Sequence, residues 1–125
     1  MSRAELSNGW LTNISFEKGK SIAELFCNQN GMRIDCVNSG EVVEIVASQG
    51  SQLKTRLLGG WFINPVNFPK RAIVLLQVAE GGTHVAAQIE ETLGFGILDP
   101  HFKSKYETYF HQWMADLAVA LPPIK

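Results

Sequence analysis

Near the start of the chain, Trp10, Thr12, Ile14 and Phe16 alternate with Leu11, Asn13 and Ser15. A period of two with one mostly apolar face predicts a strand over residues 9–16. Ser21-Ile22-Ala23-Glu24 has the form of a capping box: the Ser21 hydroxyl would accept from the Glu24 amide while Glu24 reaches back. Ile22, Leu25 and Phe26 follow at helical spacing, and Gly31 after Asn30 suits a left-handed helix end. A short helix is therefore predicted over residues 21–30.

Met32, Ile34 and Cys36 alternate with Arg33 and Asp35. A two-residue turn at Ser39-Gly40 would set Met32 opposite Ala47, Ile34 opposite Ile45 and Cys36 opposite Val43. A turn at Ser48-Gln49-Gly50 would then pair Ile45 with Leu53 and Val43 with Thr55, in a strand ending near Gly59-Gly60. Residues 61–69 hold Trp61, Phe62, Ile63 and Phe68, but Pro65 and Pro69 argue against a central strand. This segment reads as a loop that folds back onto apolar surface. Next, Lys70–Glu80 and Thr83–Leu93 flank Gly81-Gly82, a hairpin signal that pairs Val78 with Val85, Leu76 with Ala87 and Val74 with Ile89. The opposite face carries Ile73, Leu75 and Ala79 beside His84, Ala86 and Gln88, and is only half polar.

The clearest periodicity comes last. Phe102, Tyr106, Phe110, Trp113, Leu117 and Leu121 repeat at spacings of four and three. This predicts a helix with an aromatic-rich stripe, with Asp99 as N-cap, Pro100 in the first turn and Pro122-Pro123 as the stop.

The order is strand, helix, five strands, long helix. Hairpin-joined strands make one antiparallel sheet whose apolar face needs a cover, and the helices supply it. The predicted class is α+β: a curved antiparallel sheet of about six strands, with the long C-terminal helix on its concave face. This order of elements resembles the helix-grip fold of the START-like and pollen-allergen-like families, and the related TATA-box-binding-protein fold. The resemblance covers nearly the whole chain as an order of elements, without a family motif. It implies that an apolar ligand could lie between sheet and long helix. The chain is shorter than that pattern and has one helix after the first strand.

Length and composition narrow the classes of function. The chain has 125 residues, 46% hydrophobic and 18% charged, which fits a single globular domain over 1–125. The net charge of −1 lacks the basic excess of a nucleic-acid binder. Lys54, Arg56 and Arg33 make a modest basic patch opposed by Asp35 and Glu44, which reads as a solvated sheet face. No apolar run reaches membrane-spanning length, and the first residues lack a signal-peptide stretch, so a cytoplasmic protein is expected. The two cysteines, Cys27 and Cys36, are then expected as reduced, inert thiols.

No catalytic motif is present. His101 and His111 lie ten residues apart, about 80° around the helix and nearly 15 Å along it, so they cannot share a metal. Neither a metal site nor a cofactor is expected. Glu90 and Glu91 are adjacent on a strand and point to opposite faces, which excludes a carboxylate dyad. Glu91 shares the Val85-Ala87-Ile89 face. There it either sits at the sheet's rim near water or lines a cavity as a ligand anchor or general acid.

The leading expectation is non-catalytic binding of a small apolar or amphipathic molecule between sheet and C-terminal helix. The candidate lining is Trp10, Trp61, Phe62, Glu91, Phe95, Tyr106, Phe110 and Trp113. The same aromatics would equally fill an ordinary core. In that case the protein reads as an interaction or homodimerisation module, with Ile73, Leu75, Ala79 and Ala86 as the candidate interface.

Overall fold

The computed structural model describes residues 5–38, 40, 42–49, 70–92 and 100–124. The elements are β1 (Glu5–Thr12), α1 (Phe16–Gln29), β2 (Arg33–Asn38), β3 (Val42–Gln49), β4 (Lys70–Ala79), β5 (Gly82–Glu91) and α2 (Pro100–Ala120). The strands form one curved antiparallel sheet in the order β1-β5-β4-β3-β2. Both helices pack on one face, α1 over β2, β3 and β4, and α2 over β5 and β1. The α+β class and the gripped C-terminal helix are as the sequence predicts. Five strands lie among the described residues, and the sixth expected strand, at 51–58, lies outside them.

The first two elements start earlier than predicted. Ser15, not Ser21, is the N-cap: its backbone is extended and its hydroxyl accepts from the Lys18 amide at 3.4 Å. Phe16 thus opens α1 rather than closing β1, and Ser21 lies inside the helix. The alternation through Ile14 and Phe16 is misleading because both still pack against the core from outside a strand. The helix end is as expected. Gly31 has φ +75°, and the Met32 amide donates to the Cys27 carbonyl at 2.9 Å.

Registers differ from the simplest turns. Ile34 lies opposite Ala47, and an irregularity before Cys36 brings Val37, not Ile34, opposite Ile45. Ile45 also pairs with Val74 of β4. Both edges of β3 are therefore occupied, which overturns the expected pairings of Ile45 with Leu53 and Val43 with Thr55. In the β4–β5 hairpin the turn is Glu80-Gly81, with Gly81 at φ +81°, and Leu76 lies opposite Val85. The shift of two residues keeps each side chain on its expected face. It pushes Val78 past the end of the core, where it is 62% exposed.

The concave face buries Val43, Ile45, Val74, Leu76, Val85 and Ile89 against Phe26 of α1 and against Tyr106, Phe110, Trp113 and Leu117 of α2. Met114 joins the predicted stripe. At the far end, β1 is clasped by the chain after α2. The Ile124 amide donates to the Leu11 carbonyl, and the Trp10 indole donates to the Leu121 carbonyl, both at 2.7 Å. Gly82 is required there, since a Cβ would stand 1.9 Å from the Thr12 carbonyl oxygen. Among the described residues, no helix is long and apolar enough to cross a membrane.

Candidate functional site

β4 begins at Lys70 and β5 ends at Glu91, and the register sets these two residues opposite each other. Parity fixes their direction. Lys70 shares a face with Ala72, Val74 and Leu76, and Glu91 with Ala87 and Ile89, so both project into the layer between sheet and helices. Lys70 is 0% exposed and Glu91 1% exposed. Burying an amine or a carboxylate in an apolar layer carries a desolvation cost whenever the group is charged.

The N-terminal half of α2 faces this pair. The Lys70 ammonium lies 4.5 Å from the centre of the Tyr109 ring, a cation–π distance. Tyr106 is fully buried, and its ring lies 5.5 Å from that of Phe110. Burial lowers the Lys70 amine from its ordinary value to about 7. Burial also pushes the Tyr106 phenol up, with a smaller contribution from the Glu91 carboxylate. The Tyr109 phenol is raised as well, by burial and then by Asp116. The buried Tyr109 hydroxyl and Trp113 indole nitrogen have no protein hydrogen-bond partner. One end of an otherwise apolar layer therefore collects an amine, a carboxylate and two phenols.

The predicted lining does not converge on one point. Glu91, Tyr106 and Phe110 lie at this end. Trp113 sits further along α2 and packs edge-on against Phe26, ring centres 5.5 Å apart, as a core residue. Trp10 is opposite Val85, six residues from Glu91 along β5 and hence about 20 Å away. Trp61, Phe62 and Phe95 lie outside the described residues. Sequence reasoning missed Lys70 and Tyr109. For Lys70 the signal was available, because it has the parity of Val74 and Leu76.

On the outer face, Ile73, Leu75 and Ala86 are half-buried, with Leu75 directly opposite Ala86. They line an open groove of about 420 Å³ together with Ser7, Gly9 and Gln88. Ala79 is not part of it and pairs with Gly82 beside the hairpin turn. Other candidate chemistry is dispersed. Cys27 is buried and its thiol is pushed up to about 11, by burial and then by Glu24. Arg33 is tied to Asp35 at 2.8 Å and to Ser48. Lys54 and Arg56 lie outside the described residues. Among the described residues, no three metal-ligating side chains come together.

No protein-family profile matches the chain, and no curated protein matches it. Among solved structures, the chain is similar to the crystal structure of Ara h 8.0201, with a TM-score of 0.47 and 11% identity, covering 96% of this chain and 99% of that chain.

Proposed function

We propose that the protein binds a small amphipathic molecule between the sheet and α2, without catalysing its conversion. The polar end of the ligand lies at Lys70 and Glu91, and its apolar body runs along Phe110. The observation that supports this reading most directly is the buried pair itself. Apolar side chains would fill the same space at least as stably, so a lysine and a glutamate buried at one end of an apolar layer are accounted for by a polar group that they recognise. The partnerless Tyr109 hydroxyl in the same region offers a further hydrogen bond. The test is a titration of the folded protein with N-phenyl-1-naphthylamine, followed by displacement with 1-octanol and octanoate. Saturable one-site binding, with Lys70→Met altering the preference between the two competitors, is expected. Failure of the native protein to bind any of the three probes overturns the reading.

A second reading is favoured by the outer groove: a protein that self-associates through Ile73, Leu75 and Ala86, with a filled core. These residues are contiguous across β4 and β5, and no described helix covers that face. A two-fold contact would bury them against their own copies. Leu75→Lys then gives a folded monomer, because it sets like charges across the contact. Sedimentation showing a monomeric wild type at tens of micromolar removes this reading.

A further inference from the structure

We infer that Lys70 holds a carbonyl-bearing apolar molecule, an aldehyde or ketone, as an imine, with Glu91 moving the protons. This deepens the ligand-binding reading and rests on it. Three requirements of imine chemistry meet at this position. The first is an amine directed into an apolar layer. Lys70 is wholly buried on the face of Ala72 and Val74. The second is an acid–base group within reach. Glu91 is the register partner of Lys70 and projects from the neighbouring strand on the same face, so the two Cβ atoms are about 5 Å apart. The third is exclusion of bulk water, since water hydrolyses imines. Both side chains are 1% exposed or less.

The protonation state is suited to the step. With its amine lowered to about 7 by burial, Lys70 is roughly half neutral at pH 7, against less than about one part in a thousand for an exposed lysine. A lysine desolvated in an apolar pocket is a recognised form of activated nucleophile.

Transfer of the ammonium proton to Glu91 leaves an amine and a carboxylic acid. The amine nitrogen attacks the carbonyl carbon, a C–N bond forms, and the carbonyl π pair moves to oxygen. Glu91 protonates that oxygen and takes back a proton from nitrogen, giving the carbinolamine. Glu91 then protonates the hydroxyl, the C–O bond breaks, and water leaves. The product is an iminium cation beside a carboxylate, so the site keeps the charges it began with and nothing is oxidised or reduced. The Tyr109 ring, 4.5 Å from the Lys70 nitrogen in the free protein, stabilises a cation at that place before and after the reaction. This accounts for an aromatic face at a site where the amine must also react.

The experiment treats the folded protein with octanal at pH 7, reduces with borohydride, and maps the octyl label by peptide mass spectrometry. 1-Octanol, of the same length but unable to form an imine, serves as the control in displacement of N-phenyl-1-naphthylamine. Labelling of Lys70 at least about tenfold above any other lysine is expected, given its larger neutral fraction. Glu91→Gln should slow labelling of Lys70 at octanal concentrations that saturate the site. In Lys70→Met the remaining label should fall to the level of the surface lysines. If octanol and octanal both bind but Lys70 is labelled no more than the surface lysines, the imine inference falls and the ligand-binding reading stands. If neither binds, both fall. The selectivity among lysines is read on the wild type, so the outcome does not depend on whether a variant folds.

Discussion

The near-neutral amine of Lys70 makes a stability prediction that can be isolated from every other titrating group. Its amine titrates at about 7 in the folded chain against 10.5 for an unperturbed lysine, and the cause is burial. At about 1.4 kcal/mol per unit, the folded state carries a penalty of about 5 kcal/mol for the protonated lysine. That is a large share of the 5–15 kcal/mol that holds a typical domain. The sign follows from proton counts. Below pH 7 both states carry the proton and the full penalty applies. Between 7 and 10.5 the unfolded chain binds the extra proton, so stability rises with pH by about 1.4 kcal/mol per unit. Above 10.5 the penalty is gone. The perturbation is Lys70→Met, made in a Glu91→Gln background so that the facing carboxylate cannot titrate. The tyrosines and Cys27 titrate in both proteins and cancel in the difference. Urea titrations followed by tryptophan fluorescence at pH 7 and pH 9 should show the lysine protein gaining roughly 2 kcal/mol relative to the methionine protein, a little less than two full units because the folded amine is already half deprotonated at pH 7. A difference that stays constant with pH would mean that water reaches the amine, and the argument for a desolvated lysine would fail.

Trp113→Ala should cost roughly 3–5 kcal/mol in the same assay, because a fully buried indole on the α2 stripe is lost; a loss under about 1 kcal/mol would show that the stripe does not carry the core. Gly82→Ala should destabilise by roughly 1–3 kcal/mol or more, since its Cβ meets the Thr12 carbonyl, and a neutral effect would place β1 further from β5 than described. Cys27 should resist thiol reagents in the native protein at pH 8 and react on unfolding, because its thiol is buried and titrates near 11. Fast native labelling at Cys27 would contradict its burial.

The parts of this fold that were legible in the sequence are those set by a single periodicity. The α2 stripe from Tyr106 to Leu121 and the two faces of the β4–β5 hairpin depend only on spacing, and a register slip of two leaves the faces unchanged. What failed needed knowledge of partners. The β2–β3 register turned on an irregularity before Cys36 that no residue type announces. The neighbour of β3 turned on whether the chain returns at once or after 20 residues, and Val74 rather than Leu53 took the edge. At the site, Glu91 was visible as an acid on an apolar face, and the open choice between rim and interior goes to the interior. Lys70 escaped notice because a lysine at a strand's first position reads as a solvated end. Tyr109 escaped because it lies off the main stripe, and its ring meets the Lys70 amine of the sheet.

The clasp at the far end of the sheet bears on the order of assembly. β1 has no sheet partner until β5 has formed, and its other edge is tied by Leu121, Pro123 and Ile124. The Trp10–Leu121 bond spans 111 positions. Local closure can build the β4–β5 hairpin and the α1 end early, but β1 must wait for β5 before it joins the sheet. Contacts of such long range slow folding, because loop entropy is lost before any of them forms. On a growing chain, β1 therefore stays an unpaired strand until β5 emerges, and its other edge stays open until Leu121 and Ile124 follow.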